Sequence, residues 1–145
     1  GMTVEEPVGL QKFESAFVQA NLIADQREVH AGENINLAVH LANLGKNAAF
    51  LMRVEGIIPA GFDVVERPEK CIIENECVSF KGRKLAPLET TEMKLTLKPK
   101  KKGKFVFMPK FQYMDETGEY KSFELEQLTV TVKELGIRGW LRGSD

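Results

Sequence analysis

Strict alternation of apolar and polar residues is the feature that most constrains the fold of this chain. The alternation runs through residues 35–42 and returns through residues 92–98, and turn-forming residues interrupt it every ten to fifteen positions. A period of two places the apolar side chains on one face of a β-strand and leaves the other face to water. The inward-facing set of these two strands is Ile35, Leu37, Val39, Leu41, Met93, Leu95 and Leu97.

Other segments extend the same pattern to about seven or eight strands, the usual number in an all-β, immunoglobulin-like Greek-key sandwich. One of them places Phe50, Met52 and Val54 on a single parity, which predicts that these three side chains point into the core. Two further strands are predicted at residues 105–113 and 123–132, and weaker strand patterns cover residues 18–24, 62–66, 71–74 and 78–81.

Two irregularities are expected in the last strands. Pro109 interrupts the 105–113 segment, and because proline cannot donate to a strand ladder, it predicts a bend or an edge position. In the final segment the apolar parity changes from odd to even at Glu126-Gln127. A bulge accommodates such a change, and in a sandwich it marks a strand that bends from one region of the core to another.

Composition fits a single domain and excludes several classes of function. The 145 residues are 43% hydrophobic, and 20 Lys and Arg against 21 Asp and Glu give a net charge of -1. This balance disfavours a nucleic-acid binder, which normally shows a basic excess. No apolar run approaches the roughly 18–20 residues of a membrane span, and the first residues lack the charged, apolar and small-residue order of a signal peptide. Membrane contact is therefore not expected, and an intracellular location is favoured.

The expected organisation has three parts. Residues 1–9 are a tag remnant and lead-in, residues 10–134 form the sandwich, and residues 135–145 are a connector or docking tail. The two cysteines leave two interpretations open. A three-residue hairpin turn between Cys71 and Cys77 places them opposite each other, at a separation of about 4.5–5.5 Å that a disulfide tolerates. Alternatively they are separate thiols packed as small hydrophobic residues.

A family resemblance is carried by the stretch Val29-His30-Ala31-Gly32-Glu33-Asn34-Ile35-Asn36-Leu37 and its continuation Leu41-Ala42-Asn43-Leu44-Gly45. An Ala-Gly-Glu turn leads there into an alternating strand that ends in Asn-x-Gly. This resembles the second strand of prokaryotic immunoglobulin-like modules such as the CARDB (cell-adhesion-related) type. The resemblance implies a β-sandwich that serves as a spacer, adhesion or interaction unit of a larger protein, and it assigns no binding residues.

No catalytic or metal-binding constellation is apparent, and no cofactor is expected. His30 precedes a turn and His40 lies on the polar side of a strand, so both are interpreted as surface residues rather than as catalytic bases. Asp115, Glu116 and Glu119 contain oxygen ligands that calcium prefers, but they lack the spacing of a known calcium loop. A solvated hairpin turn at residues 115–118 is the favoured interpretation.

Two segments are not explained by strand patterning. The first is a basic turn between two strands, and its functional interpretation is an anion-binding site at Lys100, Lys101, Lys102 and Lys104. The alternative is an ordinary solvated turn that also deters aggregation. The second is the C-terminal tail, whose side chains suit an interface with a partner or a neighbouring domain: Ile137, Arg138, Trp140, Leu141 and Arg142. The alternative is that Trp140 folds back onto the domain itself.

The sequence therefore predicts a non-enzymatic interaction or spacer module of a larger prokaryotic protein, which contacts a protein partner or a neighbouring domain. Association of identical chains through an edge strand or the tail is a further expectation. The alternative function is a carbohydrate- or other ligand-binding sandwich that uses exposed aromatic side chains at Phe80, Phe105 and Tyr120. An enzyme with an unrecognised site is the third hypothesis.

Overall fold

A computed structural model describes residues 14–134, and this part of the chain is built from β-strands and turns. Twelve strands follow one another: β1 Val18–Ala24, β2 Glu28–His30, β3 Ile35–Asn43, β4 Ala49–Glu55, β5 Phe62–Glu66, β6 Ile72–Glu74, β7 Cys77–Leu85, β8 Thr90–Pro99, β9 Gly103–Phe107, β10 Lys110–Met114, β11 Tyr120–Glu124 and β12 Leu128–Lys133.

The strands form a sandwich of immunoglobulin-like type, as the sequence predicts. One layer is a four-stranded sheet in the order β1-β3-β8-β5, and the other is a five-stranded sheet in the order β11-β10-β4-β7-β6. A three-stranded sheet, β2-β12-β9, extends the second layer at one end of the domain. Neighbouring strands are antiparallel except β2 and β12, which pair in parallel.

The number of strands exceeds the predicted seven or eight because two predicted strands are each divided between sheets and because the sequence pattern does not predict the short strand β2, Glu28–His30. The chain bends at Met108 and Pro109, so a single predicted strand becomes β9 and β10. Its partner divides into β11 and β12 at residues 125–127. Phe107 pairs with Leu128 and Lys110 pairs with Glu124. The two residues 108–109 therefore lie opposite the three residues 125–127. This extra residue is the bulge that the parity change at Glu126-Gln127 predicts.

The core lies between the two layers and follows the predicted alternation. All seven apolar residues predicted to face inward on β3 and β8 are at most 2% exposed. Aromatic rings fill the remaining space, and Phe62 packs edge-on against Phe105 and Phe107 with ring centroids 4.9 and 5.6 Å apart. Phe111 lies 5.5 Å from Phe80 in a tilted arrangement. Burial of one large apolar side chain contributes about 1.5–3 kcal/mol to the stability of the fold. Because the alternating pattern buries many such side chains, it is the main source of that stability.

The predicted inward face of β4 is wrong at two of its three positions. Ala49, Leu51 and Val54 are the buried residues, whereas Phe50 and Met52 lie on the opposite face and are only partly buried. The physical reason is a bulge at Met52, where the register shifts against both β7 and β10. A one-residue bulge inverts the parity of everything before it, so a single-parity interpretation of this strand fails.

Asn43 links residues 14–17, which we call the chain entrance, to both sheets. Its side chain is fully buried, and Oδ1 accepts hydrogen bonds from the N–H groups of Phe17 and Gly45, at 3.1 and 3.0 Å. Its Nδ2 donates to the carbonyl oxygens of Asn47 and Leu85, at 2.8 and 3.1 Å. Every hydrogen-bonding position of the amide is thus used, which explains why a polar side chain is tolerated in this buried place.

The chain enters and leaves the sandwich at opposite ends. At the entry pole, which comprises residues 14–17 and the turns 43–47 and 115–119, the Leu44 N–H donates to Phe17 O at 2.7 Å. At the exit pole, which comprises the turns 30–33 and 99–102 and residues 133–134, the Ala31 N–H donates to Lys133 O at 2.8 Å. The nine residues of β3 run from the exit pole to the entry pole, a distance of about 30 Å.

Candidate interaction surfaces

The two histidines lie on the surface, as the sequence predicts. The Nδ1 atom of His30 is 2.9 Å from Glu33 Oε1, and that of His40 is 3.3 Å from Glu92 Oε2. Each imidazole therefore has one carboxylate neighbour within its own turn or on the adjacent strand. Both side chains are about half exposed, with relative areas of 52% and 47%, so each contact contributes little to stability.

The two cysteines are separate thiols. The hairpin between them has a two-residue turn, Asn75-Glu76, in which both residues have positive φ, and it pairs Glu74 with Cys77. Cys71 therefore lies before β6 rather than opposite Cys77, and the three-residue turn that underlies the disulfide alternative is wrong. Burial raises the pKa of Cys71, and the Arg83 guanidinium, 3.2 Å from its Sγ, opposes part of that rise. A thiol in this state is mainly protonated at neutral pH.

The acidic hairpin at residues 115–119 is occupied by hydrogen bonds of the protein itself. Asp115 Oδ1 accepts from Thr117 Oγ1 at 2.6 Å, from the Thr117 N–H at 2.9 Å and from the Glu119 N–H at 3.0 Å. Burial opposes ionisation of Asp115, but these bonds outweigh it and lower the pKa. Glu116 Oε1 accepts from the Ala16 N–H at 2.7 Å. The carboxylates thus hold the turn and the chain entrance, which supports the hairpin interpretation over calcium binding.

The basic turn lies at the exit pole, between β8 of one layer and β9 of the other. Lys100 Nζ is 3.1 Å from Asp63 Oδ1, and Lys102 Nζ is 3.8 Å from Glu134 Oε2. Lys98, Lys101 and Lys104 are exposed and make no ion pair with any residue between 14 and 134. The four lysines singled out by the sequence are therefore divided into two that have carboxylate partners and two, Lys101 and Lys104, that face solvent.

The aromatic side chains considered for ligand binding do not share an exposed face. Phe80 is 2% exposed in the core, where the Arg83 guanidinium lies 5.1 Å from its ring centroid. Phe105 is half-buried against Phe62. Tyr120 alone of the three is well exposed, at 58%. Stacking of a sugar needs an exposed ring, so two of the three candidates for a carbohydrate platform are unsuitable.

A different apolar feature, missed by sequence reasoning, lies on the outer face of the five-stranded sheet. Tyr120, Met114 and Phe50 are cross-strand partners on β11, β10 and β4, and they form a row that we call the apolar ridge. Met52 lies beside it and lines a hollow of about 420 Å³ with Tyr120. The unbroken apolar run at residues 48–52 is the available signal, because such a run leaves both faces of a strand hydrophobic.

The five tail residues predicted to bind a partner lie outside the described residues. The last described residue, Glu134, lies at the exit pole beside Lys102. The basic turn and the residue that precedes the tail, which are separated by about thirty residues of sequence, therefore lie at the same end of the domain. Sequence reasoning does not predict this proximity because it depends on how β8, β9 and β12 pair.

Two further findings limit the possible chemistry of residues 14–134. No three side chains among the histidines, cysteines and acidic residues of this region are grouped so that they could hold a metal ion. The same region contains no helix of the length and apolarity that would be needed to cross a bilayer.

Comparison with known proteins identifies the fold. The sequence matches no protein-family model, and no curated protein is significantly similar to it. Among solved structures, BcpA, the major pilin subunit of Bacillus cereus, superposes with a TM-score of 0.57 at 10% identity. That match covers 81% of this chain and 40% of the pilin, so the chain spans less than half the length of that relative.

Two smaller domains match over nearly their whole lengths. The ASH/PapD-like domain 7 of human CEP192 has a TM-score of 0.55 and 14% identity, over 94% of this chain and 99% of that domain. The CARDB domain of PF1109 from Pyrococcus furiosus, whose structure is a complex with di-metal ions, has a TM-score of 0.48 and 17% identity over 86% and 98%. The pilin and PapD-like matches establish that this chain has an immunoglobulin-like sandwich fold, which is the class that its strand pattern resembles.

Proposed function

We propose that this chain is a non-enzymatic spacer and interaction module that holds the segments before and after it at opposite ends. The path of the chain carries this proposal. Residues 14–17 are fixed at the entry pole and residues 133–134 at the exit pole, with β3 spanning the distance between them. A rigid sandwich that the chain enters at one end and leaves at the other separates the preceding and following segments by about 30 Å. If the chain entered and left at the same end, those two segments would lie side by side.

The entry pole and the C-terminal tail have side chains suited to contact with a neighbour. At the entry pole Leu44 and Leu88 are 41% and 77% exposed, and the Leu88 N–H donates to Asn43 O at 2.8 Å, so the two leucines are close. Leu88 has a φ of 64°, a backbone conformation that is uncommon for a branched residue. For the tail that follows Glu134 in sequence, we propose that Ile137, Arg138, Trp140, Leu141 and Arg142 contact the partner or the following domain.

A tandem fusion protein tests the spacer function. With the domain inserted between two fluorescent proteins, energy transfer is expected to report one narrow separation under native conditions. That separation should change only when the sandwich unfolds, in the same denaturant range as the far-UV circular dichroism. A flexible glycine-serine linker of equal length is the control, because its separation is broad at every denaturant concentration. A broad distribution for the folded domain would contradict the proposal.

A second proposed role is binding of an anionic polymer at the exit pole. It is favoured by the solvent-facing Lys101 and Lys104, which have no carboxylate partner between residues 14 and 134. The double substitution Lys101→Glu, Lys104→Glu is expected to lower the salt concentration at which the chain elutes from heparin. The matched control is Lys81→Glu, Lys84→Glu, which makes the same charge change at exposed positions of β7. Equal elution of the two variants would refute a specific basic site.

A further inference from the structure

Strand β11 is a regular edge strand of the five-stranded sheet, five residues long and free of bulges. It pairs with β10 on one side, and no strand within residues 14–134 pairs with its other side. Edge strands are normally short, bulged or interrupted by proline, which prevents another chain from adding to them. The opposite edge of this sheet, β6, has only three residues, and β5 of the other layer is interrupted by a register shift between Val64 and Glu66. Residues 120–124 have neither device, a property that they share with β1, the regular edge of the four-stranded sheet.

The free hydrogen-bonding groups of this edge can be assigned to individual residues. The Asp115 N–H donates to Glu119 O and the Leu125 N–H donates to Pro109 O, both at 2.9 Å, so odd-numbered residues face β10. Because the backbone groups of an edge strand alternate in direction, Tyr120, Ser122 and Glu124 direct their N–H and C=O groups away from the sheet. Ser122 is the central residue of this free row, and its side chain is exposed.

We infer that the partner of this edge is a second copy of the chain, paired antiparallel and centred on Ser122. The charges disfavour the in-register parallel alternative, in which Lys121 and Glu124 would each lie beside the same residue of the second copy. An antiparallel copy places each Glu124 opposite Tyr120 of the second copy, whereas a parallel copy in register places Glu124 beside Glu124. Like charges directly opposite on paired strands destabilise the pairing.

The apolar ridge extends the contact beyond the backbone. Tyr120 lies on the edge strand itself, and Met114 and Phe50 continue the row into the sheet. The two-fold axis through Ser122 brings two such ridges to the same face of one continuous ten-stranded sheet, with a Tyr120 on each side of the axis. This inference deepens the proposed interaction function by naming its partner, and it adds side-chain burial to the new hydrogen bonds.

The central position of Ser122 provides a charge-swap test. In the antiparallel pair Ser122 lies opposite itself, so Ser122→Lys and Ser122→Glu each place like charges together. Each variant alone is expected to dimerise up to about fivefold more weakly than the unchanged chain, by sedimentation equilibrium. An equimolar mixture of the two variants is expected to recover association, because only the mixed dimer pairs opposite charges. Only the register that places Ser122 opposite Ser122 predicts that both single variants weaken association and that their mixture restores it.

A backbone substitution at the same residue provides the second test. Ser122→Pro removes the outward N–H and leaves the ladder to β10 intact, so the fold is retained while two intermolecular hydrogen bonds are lost. Dimerisation is expected to weaken about tenfold or more. Ser122→Ala, which keeps the N–H, is the control and should dimerise normally. Circular dichroism of both variants establishes that they are folded.

Three outcomes would overturn the inference. The first is a chain that stays monomeric up to about 1 mM, which is the weak end of measurable association. The second is a dimer that Ser122→Pro does not weaken, and the third is a pair of charge variants that do not restore association when mixed. A dimer that survives these changes uses another surface, and association only with a different protein assigns the edge to that protein. Each of these results leaves the spacer function intact, because that proposal rests on the path of the chain between its poles.

Discussion

Replacement of Asn43 by alanine is expected to lower the free energy of unfolding by about 3 kcal/mol. The substitution removes four hydrogen bonds at a site that is 0% exposed. The four backbone groups then lose these hydrogen bonds, and an unsatisfied buried group costs about 1–3 kcal/mol. Chemical denaturation followed by circular dichroism measures the change.

The matched control is Asn47→Ala in the same turn. Asn47 is exposed, and its side chain makes one hydrogen bond, from Nδ2 to Glu14 O at 2.8 Å. Loss of one exposed hydrogen bond should cost about 1 kcal/mol or less. If Asn43→Ala were no more destabilising than Asn47→Ala, the buried amide would not be the link between the chain entrance and the two sheets.

The sequence predicts most of the fold because one signal, alternation, is both local and strong. The sandwich class, the inward faces of β3 and β8, the bend at Pro109 and the parity change at Glu126-Gln127 all follow from side chains within a few residues of one another. The bounds of Val18–Ala24 and Phe62–Glu66 also follow from this pattern. Each of these features depends on whether a residue faces the core, which the hydrophobic pattern specifies directly.

The errors occur where pairing between distant strands decides the structure. In β4 a bulge at Met52 inverts the face, and the residues of the strand itself do not reveal it, because Ala49, Phe50, Leu51 and Met52 are all apolar. In the β6–β7 hairpin the two-residue turn needs positive φ at both Asn75 and Glu76, and glutamate gives no such signal. The pattern therefore predicts a turn that is one residue too long.

The candidate surfaces are the least predictable part, because surfaces are assembled from segments far apart in the chain. The apolar ridge joins residues 50, 114 and 120, and the exit pole joins residues 30–33, 99–102 and 133–134. Single-sequence patterning identifies the lysines of the basic turn but not which of them have carboxylate partners. Similarly, the Asn-x-Gly ending of β3 is recognisable as a motif, but its reason is visible only when Ser15 and Phe17 are placed against it.

Substitution of the glycine in that motif is the second prediction of large effect. Gly45 is buried, and a Cβ atom added to it would lie 1.9 Å from Ser15 O, 2.7 Å from Phe17 N and 2.8 Å from Ala16 Cα. All three atoms belong to the backbone of the chain entrance, so no side chain can move aside. Gly45→Ala is therefore expected to lower the free energy of unfolding by about 4 kcal/mol, by displacing residues 14–17 from the turn.

Hydrogen exchange distinguishes this local displacement from general unfolding. In Gly45→Ala the amide of Leu44, which donates to Phe17 O at 2.7 Å, should exchange far faster than the amides in the centre of β3. Gly118→Ala is the control, since Gly118 has a φ of 88° with no atom within 4 Å of an added Cβ, and its substitution should cost about 1 kcal/mol. A cost for Gly45→Ala no larger than this would contradict close packing at position 45. Because Gly45 and Asn43 hold the same four-residue entrance, their effects should be less than additive in the double variant.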